Sequence, residues 1–208
     1  MILEKVTVGI FQVNCYILAE ASGGAAAIID PGADENNIRK ALVKHQLKPG
    51  VVINTHGHFD HIGCDDKFGV PVYVHPDDAA LLKDARLNLS DFLFNTSYAM
   101  GKVTIKLAQD KDIIKLDGIE LEVIATPGHT RGGICLLLKK PQNKILFSGD
   151  TLFYQGVGRT DFPGASESDL VKSIKEKLFR LSGDTVVYPG HGPSSTIKEE
   201  KENNPFLT

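Results

Sequence analysis

The chain has 208 residues, 42% of them hydrophobic and 24% charged, with a net charge of −3. Such a chain is long enough for one domain with a sizeable core, and its mildly acidic balance argues against a nucleic-acid-binding surface. It has no apolar run near the roughly 18 residues of a membrane span, and Met1-Ile2-Leu3-Glu4-Lys5 opens no signal peptide, so a cytoplasmic protein without a membrane partner is expected.

In chain order, Leu3 to Ile10, Cys15 to Ala19 and Ala25 to Ile29 read as strands, with Ser22-Gly23-Gly24 as a turn. Asp34 can cap a helix whose apolar positions are Ile38, Leu42 and Val43. Val51-Val52-Ile53 is a short, fully buried strand. A helical turn over 63–68, a strand from Val70 to Val74 and a helix after His75-Pro76 follow. Within 84–102, the cluster Leu89, Phe92, Leu93 and Phe94 predicts a short helix or a packed loop. Strands return at Asp112 to Leu116, Ile119 to Ala125, Ile134 to Leu138 and Lys144 to Phe147, with Asp117-Gly118 as a hairpin turn. Ser166 starts the clearest helix, with Asp169 three positions on and an apolar face of Leu170, Val171, Ile174, Leu178 and Leu181. Thr185 to Val187 is a last strand and Ile197 to Glu202 a closing helix whose charged run is a solvated face. Strands then helices, twice over, fit an α+β arrangement of two sheets face to face with helices outside.

One stretch exceeds what any packed core needs. Thr55-His56-Gly57-His58-Phe59-Asp60-His61 gathers three imidazoles and a carboxylate directly after an apolar strand. Each such group needs a partner when buried, and a divalent metal partners all of them. His129, Asp150 and His191 recur in one kind of context: the end of an apolar run, next to glycine or threonine. Loops at one edge of a sandwich can bring them to a common point, and the neighbouring glycines let the backbone turn sharply.

The set His56, His58, Asp60, His61, His129, Asp150 and His191 resembles the metallo-β-lactamase fold family in its short, glyoxalase II-like branch. Asp30-Pro31-Gly32, Gly158-Arg159-Thr160-Asp161-Phe162-Pro163-Gly164 and Asn204-Pro205-Phe206 match it too. The resemblance implies a four-layer αβ/βα sandwich over residues 1–208, as one domain without the added helical region that grips glutathione. It implies that His56, His58 and His129 bind one metal, that Asp60, His61 and His191 bind a second, and that Asp150 bridges them. Asp30 would support the loop beneath. Zinc is the first expectation for the two ions, and iron or manganese suits the same donors.

Two divalent ions about 3.5–4 Å apart can hold a hydroxide that attacks a carbonyl, so no Ser or Cys nucleophile is required. A small-molecule acyl-thiol such as S-lactoylglutathione suits that chemistry, because a thiol of pKa about 8.5 leaves without a proton. An amide or β-lactam nitrogen needs one, delivered by Asp60 or a bound water. Asp60 and Asp150 are thus the expected catalytic carboxylates, in a thioester hydrolase. Alternatives on the same scaffold are a persulfide dioxygenase using one iron, and a lactonase, β-lactamase or nuclease. Arg159 is the candidate grip for a substrate carboxylate, or else the ion-pair partner of Asp161. His45 reads as exposed, His75 as structural, Cys64 as inert, and Cys15 and Cys135 as buried thiols; three widely spaced cysteines make no disulfide framework.

Overall fold

The structure, a computed structural model, describes residues 1–94, 98–140 and 144–207. Two segments, Val13–Ala19 and 134–138, are buried at every position. Strands without a solvent face must be covered on both sides, and that requirement sets the layering. The first sheet runs in sequence order: β1 (Ile2–Val8), β2 (Val13–Ala19), β3 (Ala25–Ile29), β4 (Lys48–Ile53), β5 (Val72–Val74) and β6 (Ile105–Leu107). Its pairs are antiparallel as far as β3 and parallel beyond. Between β3 and β4 lies helix α1 (Glu35–Lys44); α2 (Phe59–Ile62) follows β4, and α3 (Ser90–Phe94) precedes β6.

The second sheet contains β7 (Ile113–Leu116), β8 (Ile119–Ala125), β9 (Ile134–Lys140) and β10 (Ile145–Gly149). A small hairpin, β11 (Leu152–Phe153) with β12 (Gly156–Val157), and helix α4 (Glu167–Glu176) come next. The sheet is completed by β13 (Val186–Pro189) and β14 (Ser195–Thr196), before helix α5 (Ile197–Asn203). Its order is β14-β13-β10-β9-β8-β7, with β10 and β13 parallel.

The period-2 alternation of strands decides which core each side chain joins. Cys15 and Ile17 of β2 pack under α1 with Ile38 and Leu42. Tyr16 and Leu18, facing the other way, meet Leu121, Leu136 and Phe147 between the sheets. Cys135, Leu137 and Leu146 turn outward onto Leu170 and Ile174 of α4 and Ile197 of α5. The result is the expected four-layer αβ/βα sandwich, in which each fully buried side chain such as Phe147 contributes about 1.5–3 kcal/mol.

Several local expectations are corrected. Asp34 precedes α1 in a left-handed conformation, φ 53°, and its side chain makes no cap bond to the helix. Its Oδ2 accepts instead from Gly9 N at 2.9 Å, tying the β1–β2 turn to the helix start. Val43 is exposed, and Ala41 takes its place on the buried face. The residues after His75 form a 3₁₀ turn, Pro76–Asp78, that continues as i→i−3 turns through Ala79, Leu81 and Lys83 rather than as an α-helix, with His75 Nδ1 accepting from Asp77 N at the start. His45 is half-buried, its Nε2 bonded to Glu4 on β1. In 84–102 the helix is the five residues of α3; the side chains of Leu93 and Phe94 lie outside those described. Strands β6, β11, β12 and β14 span two or three residues each, too short for a periodic signal. No described helix is long and apolar enough to cross a membrane.

Parallel pairing also places the strand ends. Ile29 of β3 is level with Ile53 of β4, so Asp30 and Thr55-His56 emerge side by side. The 30–32 turn then presses on α2: a Cβ on Gly32 would sit 1.5 Å from the Asp60 carbonyl oxygen. Gly32→Ala must therefore displace backbone, and is expected to lower the urea midpoint by the equivalent of about 1–3 kcal/mol. An unchanged midpoint would contradict this packing.

Candidate metal centre

All seven sequence-predicted residues meet at one edge of the sandwich. His56, His58, Asp60 and His61 follow β4; His129 follows β8, Asp150 follows β10, and His191 follows β13. Three groups have ligand atoms within 4.8 Å of one another: His56, His58 and His129; Asp60, His61 and His191; and His56, His61 and Asp150. Asp150 lies against both histidine groups. Its Oδ1 is 3.4 Å from His61 Nε2, and its Oδ2 is 3.6 Å from both His129 Nε2 and His191 Nε2. Asp60 Oδ2 is 3.6 Å from His191 Nε2 and 3.8 Å from His61 Nε2.

Outer-side hydrogen bonds of His56, His129 and His191, and the contact of His61 with Asp30, assign which nitrogen faces inward. His129 Nδ1 donates to the Arg159 carbonyl at 2.7 Å, and His191 Nδ1 to the Phe11 carbonyl at 3.0 Å. Thr55 Oγ1 donates to Asp30 Oδ2 at 2.7 Å and accepts from His56 Nδ1 at 3.2 Å. His61 Nδ1 lies 3.1 Å from the same Asp30 oxygen. All four therefore present Nε2 to the centre. His58 presents Nδ1, 2.9 Å from His129 Nε2. Asp30 holds the Thr55 amide as well, at 2.8 Å, and so acts as a support beneath the site.

These donors fit a cation. His56 Nε2 and Asp150 Oδ1 are buried with no hydrogen-bond partner among the described residues. Burial and neighbouring imidazoles push His56 and His58 well below the usual histidine range, which keeps their lone pairs free. Burial opposes charge on Asp150, but the imidazoles around it, His61 first, hold its carboxyl below the ordinary value. Burial likewise opposes charge on His61, yet Asp150, Asp60 and Asp30 outweigh it and raise the imidazole to about 10. A proton on His61 thus takes the place that a metal would claim.

Residues outside the ligand pattern fix the loops. Asp78, buried, accepts from Gly57 N at 2.9 Å, Thr130 Oγ1 at 2.7 Å and Gly132 N at 2.7 Å, clamping the His56–His61 loop to the His129 loop. Asn14 Nδ2 donates to the carbonyls of Pro189 and Gly192, and Tyr16 OH to that of Pro189, so the first sheet holds the His191 turn. Sequence reading missed all three. A buried acid after a proline carries no spacing signature, and Asn14 and Tyr16 lie more than 170 positions from their partners.

The cleft above the centre is a cavity of about 280 Å³, walled by Phe11, Phe59, Leu89, Phe153 and Phe162. Arg159 lines it, but its guanidinium donates to both Asp161 oxygens, at 2.9 and 2.7 Å, and lies 4.4 Å from the Phe162 ring centre. Cys15, Cys64 and Cys135 are buried; desolvation pushes the Cys64 and Cys135 thiols to about 11 and Cys15 well above its usual value. None supplies a thiolate at neutral pH.

The histidines set opposite pH trends in metal-free protein. His56 and His58, lowered on folding, give stability present above the unfolded value of about 6.5 and lost as pH falls. His61, raised, gives stability present below about 6.5 and lost as pH rises through about 10. Ring NMR of chelator-treated protein should show His61 still protonated at pH 8 and deprotonated when metal is added. A His61 ring already neutral at pH 7.5 without metal contradicts this electrostatic reading.

Comparison with known proteins agrees with the geometry. A family model described as the metallo-beta-lactamase superfamily matches residues 8–191. The chain is 34% identical to a hydroxyacylglutathione hydrolase, GloC, of Haemophilus influenzae, covering 100% of this chain and 98% of that protein. A crystal structure of BLEG-1, described as a B3 metallo-beta-lactamase, superposes with TM-score 0.93 at 36% identity, covering 100% of both chains. TTHA1623 in a di-iron-bound form follows at TM-score 0.83 and 33% identity, covering 98% of this chain and 100% of that one. A two-sheet sandwich that gathers His and Asp at one edge, matched along nearly its whole length, is a metallo-hydrolase fold: the chain belongs to the metallo-β-lactamase superfamily.

Proposed function

We propose that this chain is a binuclear metal-dependent thioester hydrolase. The observation that carries the reading is the shortage of proton donors in the cleft. Among the described residues its lining carboxylates are Asp60 and Asp150, and both belong to the ligand groups. An amine or alkoxide leaving group needs a proton, whereas a thiol of pKa about 8.5 departs as thiolate. The aromatic walls suit a soft, apolar sulfur ester, and Arg159, the one lining cation among the described residues, is already bonded to Asp161, which disfavours a phosphodiester. The likeness to a hydroxyacylglutathione hydrolase supports the same reading.

In this reading His56, His58 and His129 would hold one divalent ion and Asp60, His61 and His191 a second, with Asp150 placed between the two groups to serve both. Imidazole and carboxylate donors accept zinc, iron or manganese, and the likeness to a di-iron protein keeps iron beside zinc. Bound ions would supply Lewis acidity and a water acidified to a pKa of about 7. The chain's own groups do the rest. Asp30, through Thr55, keeps His56 in the Nδ1–H tautomer, and the Arg159 and Phe11 carbonyls do so for His129 and His191. Phe59 and Phe162 exclude bulk water beside the reacting carbonyl. Overall a carbon–oxygen bond from water replaces the carbon–sulfur bond, a carboxylate and a thiolate leave, and the two protons of the water pass to bulk solvent.

Metal-loaded protein should release thiol from S-lactoylglutathione and related acyl-thiols with kcat/KM at least about 100-fold above that for a β-lactam, a gap of a few kcal/mol in barrier. Faster β-lactam turnover, or oxygen uptake with a persulfide by protein holding one iron, would replace the reading. Asp150→Ala should lower bound metal from about two ions per chain to one or fewer and reduce kcat by at least about 100-fold. Full metal content in that variant means that the carboxylate does not bridge.

A further inference from the structure

The cleft continues in two directions that differ in charge. Beyond Asp60 it meets a cavity of about 200 Å³ walled by Val8, Ile10, Phe11, Ala33 and Phe59, with no basic residue. Beyond His58 it meets a larger one of about 360 Å³, lined by Asp77, Asp78, Leu81, Thr130, Arg131, Pro163 and Gly164. His58 belongs to both this cavity and the cleft. Resting on the thioester reading, we infer that Arg131 is the substrate-carboxylate site of this enzyme, and that the His58 side of the cleft takes the anionic half of an acyl-thiol.

Four observations lead there. Arg131 is exposed and, among the described residues, makes no ion pair and no side-chain hydrogen bond. Arg39, Arg86 and Arg159 are each bonded to an acid. The two acids in the cavity leave Arg131 uncompensated. Asp78 is buried, with both oxygens taken by Gly57, Thr130 and Gly132, and Asp77 faces solvent 3.7 Å from His75 Nδ1. The backbone at Arg131 is also fixed, since Thr130 and Gly132 on either side are both bonded to Asp78. A guanidinium carried on a held stretch of backbone, two residues from His129, presents a fork that matches a carboxylate bidentately.

Arg159 offers the contrast, because a carboxylate reaching it must displace Asp161 from two bonds. Arg131 needs no such exchange. The carboxylate can belong to the thiol half or the acyl half, and matched substrates tell the two apart. S-acetyl-3-mercaptopropionate carries it on the thiol, and the S-methyl thioester of succinate carries it on the acyl group. The primary amide of each is the neutral control.

Steady-state kinetics of metal-loaded Arg131→Ala should show KM raised roughly 10- to 100-fold for one acid, with kcat little changed, and less than threefold for its amide. Arg131→Glu should raise the KM of that acid further, and Arg131→Lys should restore it in part. Thermal midpoints of the variants check folding. Binding of the thioether S-propyl-3-mercaptopropionate and of 4-(methylthio)butanoate, by calorimetry, reads the same site without catalysis. A carboxylate-dependent loss of thioether affinity in Arg131→Ala supports the inference even if no thioester is hydrolysed, an outcome that would sink the thioesterase reading alone. Equal changes for acid and amide, no change for either, or a carboxylate-dependent loss in Arg159→Ala but not Arg131→Ala would overturn it.

Discussion

Asp150 stands where the imidazoles of His61, His129 and His191 converge within 3.4–3.6 Å, and most of the structure serves that meeting. Ring nitrogens with inward lone pairs repel one another at these separations, and burial forbids water from relieving them. Carboxylates supply part of the compensation: Asp30 from below, Asp60 and Asp150 from the sides. The remainder is a demand for positive charge, visible in the proton that His61 would keep to about 10. Geometry and electrostatics thus lead separately to a cation-binding centre.

Holding such a centre needs backbone conformations that a relaxed chain avoids. Asp30 sits at φ 53° and Gly149 at φ 49°, each at a strand end beside the ligands. Asp tolerates the left-handed region better than most residues, and here its side chain recovers the cost through two bonds to Thr55. Close approach matters as much as torsion. A Cβ on Gly190 would lie 2.3 Å from Asp150 Oδ1 and 2.8 Å from His61 Cε1, so the ligand cluster occupies the space that a side chain would need.

The two sheets contribute unequally to recognition and reaction. The His56–His61 loop comes from the first sheet, while His129, Asp150 and His191 come from the second. Asp78 joins the loops across the inter-sheet edge, and Asn14 and Tyr16 join them at the opposite end. Groups around the rim then set what reaches the centre: an aromatic wall at Phe11 and Phe59 on one side, and the Arg131 cavity on the other.

The sequence by itself determined the ligand chemistry and the layering. His56 to His61 points to a metal site because no core can satisfy so many polar groups in one turn of chain, and strands followed by helices, twice over, point to two sheets face to face with helices outside. Strand ends marked by glycine told where His129, Asp150 and His191 would emerge. Tertiary structure decided what depends on distant partners. Whether Arg159 was free or paired turned on the fold of its own loop, and two bonds to Asp161 answer it. Asp34 looked like a helix cap, but the nearby Gly9 amide captured it. Asp78 had no motif at all, since its role exists only once two loops, 50 or more positions apart, lie against it. Spacing along a chain reports which groups can share an ion; only packing reports which of them already have a partner.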